Sequence, residues 1–220
     1  MCYSFEASMN AGVGLGIAGV AMVAKALRSD RRLVWFAAFP LVFSVHQFVE
    51  AVNWRAYFHP FRGDEAFRYL YTMIAFLVWP VLTPIAAWRA ETNPSRRALW
   101  RALCGCGVAL SVYLSAKLAY ADGIDVSVVD HSLAYDPLFE RPPLIAHFTY
   151  VALTVIPLVS MDNRALKIFG ALVFATFVYS IVEARAAWYS VWCMAAAMFS
   201  FTIAFAFERE QRRDYREAKV

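Results

Sequence analysis

His46, Gln47, Glu50, Asn53 and Trp54 are spaced so that a helix of 3.6 residues per turn carries them on one face, opposite Val45, Phe48 and Val52. An imidazole and a carboxylate four residues apart on a helix can reach one ion. Zn²⁺ accepts such nitrogen and oxygen ligands and leaves a position open for water. With His147 and Glu183 from other segments, His46 and Glu50 form a candidate divalent-metal set. Water on that metal would be a hydrolytic nucleophile, and a carboxylate such as Glu50 its base. The plainer alternative is hydrogen bonding alone, since buried polar groups need partners whether or not they react. The sequence has no Gly-rich phosphate loop, no Cys-x-x-Cys and no His-Glu-x-x-His.

Other segments carry polar stripes of the same kind: Tyr113, Lys117 and Tyr120; His147, Tyr150 and Thr154; Thr176, Ser180 and Glu183; Tyr189, Cys193 and Ser200. Their convergence predicts a polar pocket in the outer half of the bundle that opens outward, lined by Cys2, Glu6, His46, Gln47, Glu50, His147, Glu183 and Cys193.

The elements that must hold this pocket are membrane spans. Seven apolar stretches, 9–27, 32–54, 66–88, 99–120, 143–160, 165–185 and 187–207, approach the roughly 20 residues that cross a bilayer core. Apolar residues make up 61% of the 220, charged residues only 17%, and mean hydropathy is +0.49. Fifteen of the 21 Lys and Arg fall in 25–32, 89–101, 161–167 and the tail. By the positive-inside rule those segments face the cytoplasm and the N-terminus lies outside. The expectation is an all-α, single-domain bundle of seven transmembrane helices over 1–207, with a charged cytoplasmic tail at 208–220, in the plasma or inner membrane. The net charge of +4 is accounted for by this asymmetry, and nucleic acid is not an expected partner; membrane lipids are. The N-terminus lacks the basic region of a cleavable signal. Ser8, Gly12 and Gly16 have the spacing of a helix-packing face. Pro80 and Pro84 should bend the third span, Cys104 and Cys106 read as packing residues, and 121–142 is the one long loop. A rhodopsin is excluded because 187–207 contains no Lys, and the seven-helix hydrolases with a late His-xxx-His are excluded because the last spans contain no His.

Met1-Cys2-Tyr3-Ser4-Phe5-Glu6-Ala7-Ser8 resembles the Met-Cys-Phe-Ser-Ala-x-Ala-Ser opening of a family of bacterial multi-pass membrane proteins catalogued as a domain of unknown function. Gln47 to Glu50 with Trp54 is similar to that family's Gln-x-x-Glu-Gly-x-x-Trp, with Ala51 in place of its Gly. Trp79-Pro80-Val81 and Ser190-Val191-Trp192-Cys193 resemble its third and seventh spans. The resemblance implies this architecture and weight on Glu50; it brings no activity. It also directs attention to Cys2 and Cys193 as a soft-metal ligand pair, a nucleophile, a disulfide or two buried thiols.

Two functions stay open. One is a metal-dependent intramembrane hydrolase of a lipid or lipophilic substrate, with zinc as the example of the metal. Glu50 and Cys2 would be catalytic, and Gln47, Asn53, Trp54, Tyr150, Trp192 and Cys193 would contact substrate. The other is a non-enzymatic receptor, sensor or transporter that uses the same pocket for a small ligand.

Overall fold

The computed structural model describes residues 4–207. Seven helices cross one bundle: α1 Phe5–Arg28, α2 Arg31–Phe58, α3 Glu65–Ala90, α4 Pro94–Ala119, α5 Leu144–Ser160, α6 Arg164–Glu183 and α7 Trp188–Phe205. Six are long and apolar enough to span a membrane, and α5 is a shorter apolar helix of 17 residues. Several starts carry a side-chain cap, which satisfies amide donors that a helix leaves unpaired. Ser4 accepts from the Ala7 amide at 3.2 Å, Asn93 from those of Ser95 and Arg96, and Asn163 from those of Ala165 and Leu166. A helix is present at each of the seven expected stretches, with boundaries shifted by a few residues. The tail from 208 lies outside the described residues.

Helices α2 and α3 are central and α1 and α4 peripheral. Small residues set how closely they pack. Gly12, Gly16 and Gly19 of α1 lie against Phe48, Ser44 and Leu41 of α2, and Ser44 Oγ donates to the Gly12 carbonyl at 2.6 Å. This is the packing face that the Ser8–Gly12–Gly16 spacing predicts. The tightest approach is between α3 and α4, where a Cβ on Gly107 would stand 2.1 Å from the Pro80 carbonyl oxygen. Ahead of Pro80, Ile74–Val78 of α3 widen into a π turn. Proline has no N–H to return to a preceding carbonyl, and neighbouring side chains take up carbonyls of this turn. The Tyr150 hydroxyl donates to Ala75 O, and Ser111 Oγ to Leu77 O at 2.9 Å.

The expected long loop is a structured element. Ile124–Val129 (β1) and Ser132–Pro137 (β2) pair antiparallel around Asp130 and His131, whose φ angles of 46° and 60° match the two-residue turn that hairpin twist favours. Leu133 and Tyr135 of β2 are buried and share a cluster with Val49, Trp54, Tyr71, Ile74 and Leu118. The hairpin therefore closes one end of the bundle.

At the opposite end, the buried Glu91 carboxylate accepts from the Thr92 and Asn93 amides at 3.0 Å and from Trp100 Nε1 at 3.3 Å. Arg96 pairs with it at 2.9 Å, reaches Asp162 at 3.3 Å and donates to the Ser160 carbonyl. One guanidinium thus ties the α3–α4 connection to the α5–α6 connection.

Candidate functional site

On α2, His46, Gln47 and Glu50 are wholly buried and Asn53 nearly so, because this face meets α3, α7 and the hairpin. Ser190, at the start of α7, donates its hydroxyl to Glu50 Oε1 at 2.6 Å, and both residues are 0% exposed. Cys193, one turn further along α7, is buried within electrostatic range of the same carboxylate. Beside this contact stands a column of rings. His46 stacks on Tyr71 at 4.2 Å, and Tyr71 on Tyr135 of the hairpin at 4.0 Å. Asn53 Nδ2 donates to the Tyr135 hydroxyl and to the Phe67 carbonyl, each at 3.1 Å. His46 Nε2 lies 3.2 Å from the Tyr71 carbonyl, so a neutral ring carries its proton there and leaves Nδ1 as an acceptor. Among the described residues, His46 Nδ1, Asn53 Oδ1 and Trp54 Nε1 are buried with no hydrogen-bond partner.

The expected metal set is not brought together. His147 lies partly exposed on α5 with its ring nitrogen 3.3 Å from the Pro143 carbonyl of its own helix, and Glu183 is exposed at the end of α6. Among the described residues, no three His, Cys, Asp or Glu side chains gather to hold an ion. A zinc ion held by His46, Glu50, His147 and Glu183 does not fit this arrangement. The reason lies in position along the helix: His147 stands in the first turn of α5 and Glu183 is the last residue of α6, while Tyr150, Thr154 and Ser180 of the same stripes are buried. Glu6 is likewise exposed, on the first turn of α1. The fourth stripe leaves the site too, because Lys117 pairs with Glu140 at 2.9 Å; that cation holds the Glu140 carboxyl below the usual carboxylate range. Cys2 lies outside the described residues.

The remaining residues form a second compartment. Tyr150, Trp192 and Cys193 line a cavity of about 30 Å³ whose walls are completed largely by Phe39, Phe43, Trp79, Thr83 and Phe169. Trp192 Nε1 donates to the Val173 carbonyl at 2.9 Å, which fixes its ring as a wall. In place of the predicted outward-opening pocket over five helices stand a buried polar cluster between α2, α7 and the hairpin and, next to it, an aromatic cavity. Ser190 was missed as a site residue. Its signal was present, because it stands one helical turn before Cys193 in the Ser-Val-Trp-Cys stretch.

A family model described as "Family of unknown function (DUF6629)" matches residues 1–218. The chain belongs to this family. No curated protein and no solved structure matches it significantly. DUF6629 membership agrees with the resemblance read from the sequence, and the apolar helices make this DUF6629 chain a multi-pass membrane protein.

Proposed function

We propose that this chain is a membrane-embedded binding protein whose small ligand docks a hydrogen-bond donor group on Glu50. The observation that carries this reading is the wholly buried Glu50–Ser190 contact at 2.6 Å. Carboxylates inside membrane spans are costly and face the bundle interior, where they serve a pathway or a ligand. His46 Nδ1 and Asn53 Oδ1, unpartnered among the described residues, add further acceptors on the same face. Tyr135 of the hairpin covers the cluster, so the ligand is enclosed when bound. The test is mass spectrometry of small molecules extracted from the purified protein. A species retained by the wild type should fall about tenfold or more in Glu50→Gln, the scale of one lost hydrogen bond to a charged group. Identical extracts from both proteins would sink the reading.

The same contact supports a second reading. A hydroxyl within hydrogen-bond reach of a carboxylate is the arrangement of a nucleophile and its base. In an acyl hydrolase, Glu50 would take the Ser190 proton as Oγ attacks the acyl carbon of a lipophilic ester and return it to the departing alcohol. It would then take a proton from the water that releases the acyl group as the acid. Labelling by a fluorophosphonate in membranes, lost in Ser190→Ala, would favour it; an unlabelled Ser190 would leave the binding reading.

We also propose that the hairpin end faces outward and the Arg96 end faces the cytoplasm of a plasma or inner membrane. The 15 Lys and Arg assigned to the latter side support this orientation. In intact cells, an impermeant thiol reagent should label a cysteine introduced at position 125 and spare one at position 94. The reverse pattern would invert the topology.

A further inference from the structure

Between the end of α4 and the start of α5 the chain encloses an open groove of about 520 Å³. Lys117 stands in the last turn of α4 and Arg141 just ahead of α5, so both cations lie at the rim where the helices leave the apolar layer. Tyr120, 88% exposed, lines the same groove, and amphipathic rings of this kind gather at headgroup level. Asp122, Asp136 and Glu140 share the groove with the two cations. Lys117 pairs with Glu140 at 2.9 Å, whereas Asp122, Asp136 and Arg141 take part in no ion pair among the described residues. Asp136 also lies directly opposite Asp125 across the hairpin, which puts both carboxylates on one face of the ladder. Like charges in that position repel, and a cation beside them relieves the repulsion. Below the groove the surface turns apolar. Helix α4 exposes Val112 and Tyr113 within two turns of Lys117, and α5 exposes Leu144, Ile145 and Phe148 in its first two turns.

We infer that this groove is a site for a zwitterionic phospholipid with an ethanolamine head. Its phosphate lies on Arg141 and Lys117, its ammonium on Asp122 and Asp136, and its acyl chains along the exposed apolar residues of α4 and α5. This goes beyond the binding reading above and does not depend on Glu50. Cations and carboxylates side by side complement a head that carries both charges, and the apolar surface below complements a hydrocarbon part. Arginine matches phosphate because its planar fork offers paired donors. A primary ammonium matches the carboxylates because it has three N–H donors. A choline head has none, and a glycerol head brings no positive charge to the carboxylates. Lys117 reaches the phosphate once Glu140 swings aside, which the 88% exposure of that side chain permits.

The test uses the full chain in detergent, titrated with dioleoyl phospholipids bearing ethanolamine, choline or glycerol heads, and with water-soluble glycerophosphoethanolamine. Native mass spectrometry counts lipid-bound and lipid-free protein, and identical acyl chains let micelle partitioning cancel in the ratios. The ethanolamine lipid should bind about fivefold more tightly than either of the others, the scale of a few partly exposed charge pairs. Asp136→Asn and Arg141→Ala should each bring that ratio close to one. Both side chains are exposed, so both variants should fold, which a thermal melt checks. Asp130→Asn, at the hairpin turn and outside the groove, should keep the full preference. Equal binding of the three lipids, or tightest binding of the glycerol head, would overturn the proposal. A preference that survives both groove variants would belong to another surface, and one lost in Asp130→Asn as well would follow overall charge; either overturns it equally. Glycerophosphoethanolamine binding as tightly as the lipid would assign the groove to a soluble headgroup and overturn the lipid.

Discussion

Gly107→Val is expected to prevent assembly of the bundle. A Cβ at this position would lie 2.1 Å from the Pro80 carbonyl oxygen and 2.9 Å from its carbon, both of them backbone atoms that no rotamer change can move. Helices α3 and α4 would have to separate by more than an ångström, and the loss would spread to Ser111 Oγ and the Leu77 carbonyl one turn away. Overpacking a well-filled core costs about 1–3 kcal/mol, and a backbone collision of this depth should lie at the upper end or above. Thermal unfolding in detergent should show a large drop for Gly107→Ala and no folded fraction for Gly107→Val. Gly105, with nothing near its added Cβ, is the control and should tolerate Ala. Normal melting of Gly107→Ala would mean that the α3–α4 approach is looser than described.

Arg96→Ala is expected to be the most damaging substitution at the end away from the hairpin. It leaves the Glu91 carboxylate, 4% exposed, with only amide and indole donors, and it releases Asp162 and the Ser160 carbonyl at the same time. Removing one partner of a buried ion pair can cost 3–5 kcal/mol. The Arg96 side chain is itself 34% exposed, so solvent screening lowers the expectation to about 1–2 kcal/mol. Arg96→Lys should recover only part of the loss, because a point charge cannot reach three acceptors as a planar fork does. Thermal melts of Arg96→Ala and of the double variant Arg96→Ala/Glu91→Gln decide the cause. If the buried charge is at fault, the double variant is the more stable of the two. Equal melts would assign the effect to the lost Asp162 and Ser160 contacts.

The helices were legible because seven apolar stretches separated by short polar connections leave little else for the chain to form. The inward face of α2 was legible from the spacing of His46, Gln47, Glu50 and Asn53, since such groups cannot face lipid. How far the packed interior reaches along the other helices was not. Tyr150, Thr154 and Ser180 are buried as their stripes predict, but His147 and Glu183 stand at helix ends beyond that interior, which helical spacing does not encode. The hairpin could have been found: Ile124, Val126 and Val128 alternate with polar residues before Asp130–His131, and β-branched alternation is a strand signal. The apolar setting of the loop in a helical bundle hid it. Ser190 stands out in the sequence only through the resemblance of its stretch, because a lone Ser in an apolar helix is ordinary until its partner across the bundle is known.

The π turn ahead of Pro80 bears on how the protein enters the membrane. Carbonyls of Ala75 and Leu77 are met by hydroxyls of α5 and α4, both synthesised after α3. Alone in hydrocarbon, α3 would lack the hydroxyl donors that these two carbonyls receive in the bundle, and the lipid supplies none. The third segment therefore gains from waiting at the insertion channel, or beside water, until the fourth and fifth have been made. Ribosome-bound chains truncated shortly after residue 90 should hold this segment loosely, and chains extending beyond Tyr150 should release it into lipid. The order of integration is thus written partly in two hydroxyl groups that lie outside the segment they serve.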